Sequence, residues 1–346
     1  MGKLAEYLMD QGLRPALITN DQGSDLVDTD ILRSGGFDTE EITGGCFCCR
    51  FDQLIDTAVR LFDRVRPDVL VAEAVGSCTD LAATVTDPLR RIYGDRYTVA
   101  PLSVVVDGER ARQVLGLAPS PGFTDGVEYI YRKQLEEADL IAINKADCLD
   151  RTAVDRLRAK ITGMAPDAEI HVVSTRTGVG LSAWFHRLVF GRQQPRPLME
   201  IDYDRYAAGE ARLGWLNAVL SVDADAPVDG DTVLRDLAVA IQGELGRREA
   251  TVAHLKMTLH PTTGDRARIG TVNLVGGGLV PELGLALGRA VTGARIIVNL
   301  RAEGAPDLLE KAVARAVEGT AHAGLDVDLM HVECFSPGRP QPTHGR

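Results

Sequence analysis

Residues 139–147, DLIAINKAD, decide the fold. A short apolar run closes on Asn144-Lys145-Ala146-Asp147, a polar cluster where a strand would end. Four more runs share this pattern: PALITND (15–21), DVLVAEAVG (68–76), YTVAPLSVVVD (97–107) and EIHVVSTRTG (169–178). Amphipathic stretches lie between them; Leu54, Ile55, Ala58, Leu61, Phe62 and Val65 repeat at helical spacing. Nearly continuous apolar strands alternating with helices predict an α/β fold, a mostly parallel sheet with helices on both faces. Ligands of such sheets bind beyond the carboxyl ends of the strands, so the polar residues there should carry the chemistry.

A chain of 346 residues exceeds one ordinary core and implies two domains. We expect the first to span 1–190, with a linker at 191–199 containing GRQQPRP. A smaller α+β domain of split-βαβ type should occupy 200–335, and SPGRPQPTHGR (336–346) a disordered or loosely docked tail. Hydrophobic residues make up 45%, and no apolar run reaches the 18 or so needed to span a membrane. A net charge of −11 argues against nucleic acid or anionic membrane as the main partner. The amino terminus MGKLAEYLMDQG has no signal-peptide core, and Glu6 breaks the myristoylation pattern. Cytoplasm is the default, and there thiols stay reduced.

At the end of the 139–147 run, the Asp147 carboxylate can accept from both N1–H and the 2-amino group of guanine, an arrangement adenine lacks. Asn144 can brace the loop while the Lys145 stem lies along the ring. The bland alternative is a helix N-cap at Asp147. One strand later, Ser174 and Thr175 stand where a second loop would close over the base. Glu73-x-x-Gly76 offers a carboxylate for Mg²⁺ and a backbone N–H for a terminal phosphate, although an ordinary turn explains it equally well. Asp21 and Asp28 add acidic groups that could hold Mg²⁺ or orient a water.

Three of six cysteines, Cys46, Cys48 and Cys49, crowd into GGCFCCR (44–50). In a reducing compartment such a cluster points to metal binding or reactivity rather than a disulfide. Thiolates suit Zn²⁺, Co²⁺ or Cu⁺. Neighbours on a strand face opposite ways, so Gly44 and Gly45 must supply an irregular loop for the thiols to converge. Three ligands leave an open position, which suits a carrier that releases its cargo. Buried unmetallated cysteines and a redox switch remain as alternatives. Cys78, Cys148 and Cys334 stand apart and read as plain thiols; His254, His260 and His331 could add ligands but read as structural.

The order of TNDQGSDLVDTD (19–30), TGGCFCC (43–49), EAVG (73–76) and NKAD (144–147) resembles the CobW/HypB/UreG group of P-loop GTPases, which handle metals for metalloprotein assembly. The GCxCC form points to the CobW branch, and the likeness covers residues 1 to about 190. It implies a divalent metal, zinc or cobalt, on Cys46, Cys48 and Cys49, with GTP binding and hydrolysis coupled to delivery. It also implies guanine at Asn144 and Asp147, and Mg²⁺ near Glu73 and Asp21. The partner would be a client metalloprotein or a cobalamin-related apoprotein, and a homodimer is compatible. EAVGSCTDL departs from the family's usual ETSGLADP, which indicates a specialised subgroup. The phosphate loop G-x-x-x-x-G-K-[ST] is absent: Gly2-Lys3 is followed by Leu4 and preceded by no strand. We therefore expect the first strand and that loop upstream of Met1. The alternative is a variant whose sheet closes differently and which binds metal without turning over nucleotide.

Overall fold

A computed structural model describes residues 1–24, 26–119, 125–193, 198–264, 268–275 and 280–344. The first half alternates helices with short parallel strands. In order they are α1 (Gly2–Asp10), β1 (Pro15–Asn20), α2 (Val27–Ser34), β2 (Thr39–Ile42), α3 (Phe51–Val65) and β3 (Val69–Ala72). After α4 (Asp87–Tyr93) come β4 (Ser103–Asp107), α5 (Gly108–Val114), α6 (Asp125–Glu137), β5 (Leu140–Asn144), α7 (Arg151–Met164), β6 (Glu169–Val172) and α8 (Leu181–Phe190). The apolar spacing of 54–65 becomes α3, which buries Leu54, Ala58 and Leu61. Arg66 ends it in the left-handed region at φ 46°, and Pro67 cannot continue it. The 97–107 run yields a strand only after Pro101, whose ring nitrogen has no hydrogen to give a ladder.

The parallel strands fall into two sets rather than one continuous sheet: β2-β1-β3 and β4-β5-β6. Among the described residues no strand pairs with the outer edge of β3 or of β4. The two sets share an apolar layer in which Val69 and Val71 pack with Leu4 and Leu8 of α1 and Leu140 and Ala142 of β5. Full burial of each such Leu stabilises the fold by roughly 1.5–3 kcal/mol. Strand β5 has no exposed apolar position, whereas Val105 on β4 is 52% exposed.

The second half contains α9 (Tyr203–Glu210), β7 (Leu213–Asp229), α10 (Gly230–Gly246), β8 (Val252–Pro261), β9 (Gly270–Leu274), β10 (Glu282–Leu285), β11 (Ala290–Glu303), α11 (Pro306–Thr320) and β12 (Leu325–Phe335). Its antiparallel sheet has the order β10-β9-β8-β11-β7-β12. Units β7-α10-β8 and β11-α11-β12 interleave as a split βαβ pair, extended by the β9–β10 hairpin. Side chains alternate across the strands. Leu216, Ala218, Leu255, Met257, Val298 and Leu300 face α10 and α11 in the largest core. On the other face Trp215, Asn217, Lys256, Asn299 and Arg301 reach the first half: Asn299 accepts from the Val27 N–H at 2.8 Å, and Asn217 donates to the Ser24 carbonyl at 3.0 Å. Part of the expected linker, 194–197, lies outside the described residues. Among those described, no helix is long and apolar enough to cross a membrane.

Candidate metal centre and adjoining cavity

The thiol loop follows β2. Gly44 and Gly45 take φ of 73° and 155°, values that side chains rarely adopt, and a Cβ at Gly45 would meet the Arg50 side chain at 3.1 Å. The chain then turns tightly, with the N–H groups of Cys49 and Arg50 both donating to the Cys46 carbonyl. That turn brings adjacent residues to one side. Sγ of Cys46 lies 2.8 Å from that of Cys48 and 3.3 Å from that of Cys49; Cys48 and Cys49 are 3.7 Å apart. Zn–S bonds of about 2.3 Å set a tetrahedral edge of about 3.8 Å, so a slight spreading admits an ion. Cys46 and Cys48 are buried and Cys49 is partly open.

Two contacts fix this loop. Asn20, the last residue of β1, donates to the carbonyls of Ile42 and Gly45 and accepts from the Phe47 N–H at 3.0 Å. The carboxy-terminal tail covers it: Gln341 N–H donates to Cys49 Sγ at 3.2 Å, Thr343 N–H to the Cys48 carbonyl at 2.8 Å, and His344 packs edge-on to Phe51. The tail expected to be loose is docked through residue 344, because its backbone donors find acceptors on the thiol loop.

Cys78 is not apart, as its isolation in sequence suggested. It is 3% exposed and lies in the same core as Cys46 and Cys48. Thiol donors, Cys48 foremost and then Cys49, hold Cys46 below the usual thiol range. Cys48 and Cys49 are pushed up, chiefly by their hydrogen bonds to Cys46 and then by burial. Glu210 at the end of α9 accepts from Ser77, and burial raises its carboxyl to about 7. Sequence reading missed Asn20, Cys78 and Glu210. Only Cys78 carried a signal, as a thiol two residues past Gly76 in the loop after β3, the strand neighbouring β1.

Beside the thiols, at the carboxyl ends of β1, β3 and β4, is a cavity of about 350 Å³ lined by Asp21, Asp28, Glu73, Gly76, Ser77 and Asp107. Lys256, Arg301 and Trp215 reach it from the antiparallel sheet. Arg301, 3% exposed, donates twice to Asp21 at 2.7 and 2.9 Å, and Lys256 pairs with Asp28 at 2.6 Å. Glu73 faces the cavity; burial and then Asp28 raise its carboxyl, against Lys256. Asp28 and Glu73 in turn raise the Lys256 ammonium against the effect of burial. The thiols do not line the cavity: Ser77, Trp215 and Glu210 separate the two.

The loop after β5 is a third group. Lys145 is left-handed at φ 59° and pairs with Asp107 at 2.8 Å, joining this loop to the cavity wall. Asn144 accepts from the Thr175 N–H at 3.0 Å and donates to its hydroxyl at 3.3 Å. Asp147 is fully exposed, and the Ser174 hydroxyl, foremost, lowers its carboxyl. Its carboxylate is open to a ligand. The three histidines lie elsewhere: His254 lines the cavity, His260 pairs with Asp30 at 3.2 Å, and His331 is exposed on β12.

Residues 3–172 match the family model described as CobW/HypB/UreG, nucleotide-binding domain. The chain is similar to a zinc chaperone CobW of Sinorhizobium sp, 28% identical over 170 residues, covering 44% of this chain and 48% of the relative. It is also similar to a zinc chaperone CobW of Pseudomonas aeruginosa, 28% identical over 207 residues, covering 51% and 53%. The matches thus span about half the length of these curated relatives. Among solved structures it is similar to HypB from Helicobacter pylori in complex with nickel, at 18% identity and a TM-score of 0.40, covering 54% of this chain and 79% of that one. Residues 3–172, with their strand-end motifs and thiol loop, are a nucleotide-binding domain of the CobW/HypB/UreG family.

Proposed function

We propose that the protein is a GTP-linked metal-handling protein of the cytoplasm. It takes a divalent cargo metal, zinc or cobalt, on Cys46, Cys48 and Cys49 and passes it to a client metalloprotein or cobalamin-related apoprotein. The observation that carries this reading is the convergence of the three thiols in the loop after β2. The names of the relatives support it. Asp147 would accept from guanine, Asn144 and Lys145 would hold its loop, and Ser174 and Thr175 would flank the base. Gly76 would present its N–H to a phosphate. Two short routes would couple the sites: Asn20 clamps the thiol loop next to Asp21, and one loop runs from Glu73 to Cys78.

The magnesium half fits less well. Arg301 engages Asp21 and Lys256 engages Asp28, so Mg²⁺ would have to displace a protein cation, and no hydrolytic step follows from this arrangement. That pairing favours a second reading, a homologue that binds metal and responds to nucleotide without hydrolysing it.

Elemental analysis and a fluorescent GTP analogue test the proposal. Metal should co-purify and be lost when Cys46, Cys48 and Cys49 become Ser. Asp147→Asn should weaken the guanine analogue by about tenfold or more and leave an adenine analogue unchanged. Thiol alkylation that tracks oxidant while metal never binds would overturn the proposal in favour of a redox protein.

A further inference from the structure

We propose that the carboxy-terminal segment 337–344 is a removable strap over the thiol cluster, and that metal passes to and from Cys49 only when it lifts. As a gate for metal the strap rests on the metal-handling reading; as a cover over Cys49 it does not. Cys46 and Cys48 are 4% and 1% exposed, so of the three thiols Cys49 offers the accessible side. The segment lies on that side. Gln341 N–H donates to Cys49 Sγ at 3.2 Å, and Thr343 N–H donates to the Cys48 carbonyl at 2.8 Å. The His344 ring meets Phe51, the first residue of α3, edge-on at 4.5 Å.

The sequence of the segment, PGRPQPTH, suits it to this place. Pro340 and Pro342 carry no N–H; each fixes its own φ at about −65° and holds the residue before it extended. Between 340 and 343 the backbone donors are therefore those of Gln341 and Thr343, and both go to the thiol loop. A chain already stiffened by proline loses less entropy when it docks. The root is fixed as well. Phe335, which ends β12, packs on Trp215 with ring centroids 5.8 Å apart, and Pro337 and Pro340 are buried.

Beyond Pro340 the hold is light. Among the described residues it consists of the two N–H donations and the ring contact, and a thiol sulfur is a weak acceptor. Arg339 pairs with Asp204 at 2.6 Å, but both side chains are more than half exposed, so water and salt screen the pair. A firm root with a lightly held tip is a cover that opens without disturbing either sheet. Lifting it bares the Cys49 sulfur and the Cys48 carbonyl together. A client reaches the metal through the place the strap vacates.

The full chain carrying Gln341→Pro and Thr343→Pro tests this, because proline deletes the two N–H donors and leaves the thiol loop itself unchanged. Gln341→Ala with Thr343→Ala is the control, since it keeps both donors. In the reduced, metal-free protein, iodoacetamide should alkylate Cys49 about 10–100-fold faster in the proline variant, read by peptide mass spectrometry. The exposed Cys148 serves as the internal reference. Bound zinc should pass to a chelator faster by a similar factor, and the alanine variant should match the wild type in both. Equal alkylation of Cys49 in the proline variant and the wild type, or unchanged zinc transfer where alkylation rises, would overturn the gate. Faster alkylation in a protein that binds no zinc would sustain the cover and remove the metal reading beneath it.

Discussion

Arg301 joins the two halves of the molecule through one side chain. It binds Asp21 with two hydrogen bonds, and its guanidinium lies 4.0 Å from the Trp215 ring centroid. Removing one partner of a buried pair strands the other, so Arg301→Met should cost about 3 kcal/mol in denaturant unfolding. Adding Asp21→Asn should restore part of that, a non-additive cycle that separate contacts would not give. Glu137 is a second buried carboxylate, accepting from the Ala82 N–H at 3.1 Å, and burial raises it from 4.5 to about 8. Its folded value lies above its unfolded one. Its neutral form therefore contributes fully below about pH 4.5, and the contribution is lost as pH rises through about 8. Glu137→Gln should match the wild type at pH 5 and exceed it by on the order of 1–3 kcal/mol at pH 9, read from thermal unfolding. The thiols at 46, 48 and 49 were legible because they are neighbours in the chain. Arg301 and Lys256 were not, because their partners are distant in sequence and only the fold brings them together.

At the scale of elements, the edges of β3 and β4 are the open feature. Both end a three-stranded parallel set, and no described strand covers either. Unpaired edges leave backbone donors to water, so alternate amides of Val69–Ala72 and Ser103–Asp107 should exchange with deuterium far faster than those of Leu140–Asn144. Equal protection of β3, β4 and β5 in the chain beginning at Met1 would refute the open edges. Alternating apolar runs and helical spacing revealed the parallel strands and their helices. They could not reveal that the strands form two sets, since pairing across a gap leaves no mark on local periodicity. Pro101 was a legible stop that shortens the 97–107 run.

Across the whole molecule, the antiparallel sheet turns one apolar face to its helices and one charged face to the strand ends. The charged face occupies the acidic groups of the cavity, and the tail beyond β12 returns to cover Cys49. Composition and pattern indicated a second α+β layer; which face it would present was hidden, because that depends on register between strands far apart in the chain. The central claim is that thiol cluster and cavity are linked. It is tested most directly by titrating zinc into the protein with and without a saturating, non-hydrolysable GTP analogue. The account predicts a shift in zinc affinity of about 5–150-fold, with an equal reciprocal shift in nucleotide affinity. Zinc affinity unchanged by bound nucleotide, or no nucleotide bound at all, would contradict it.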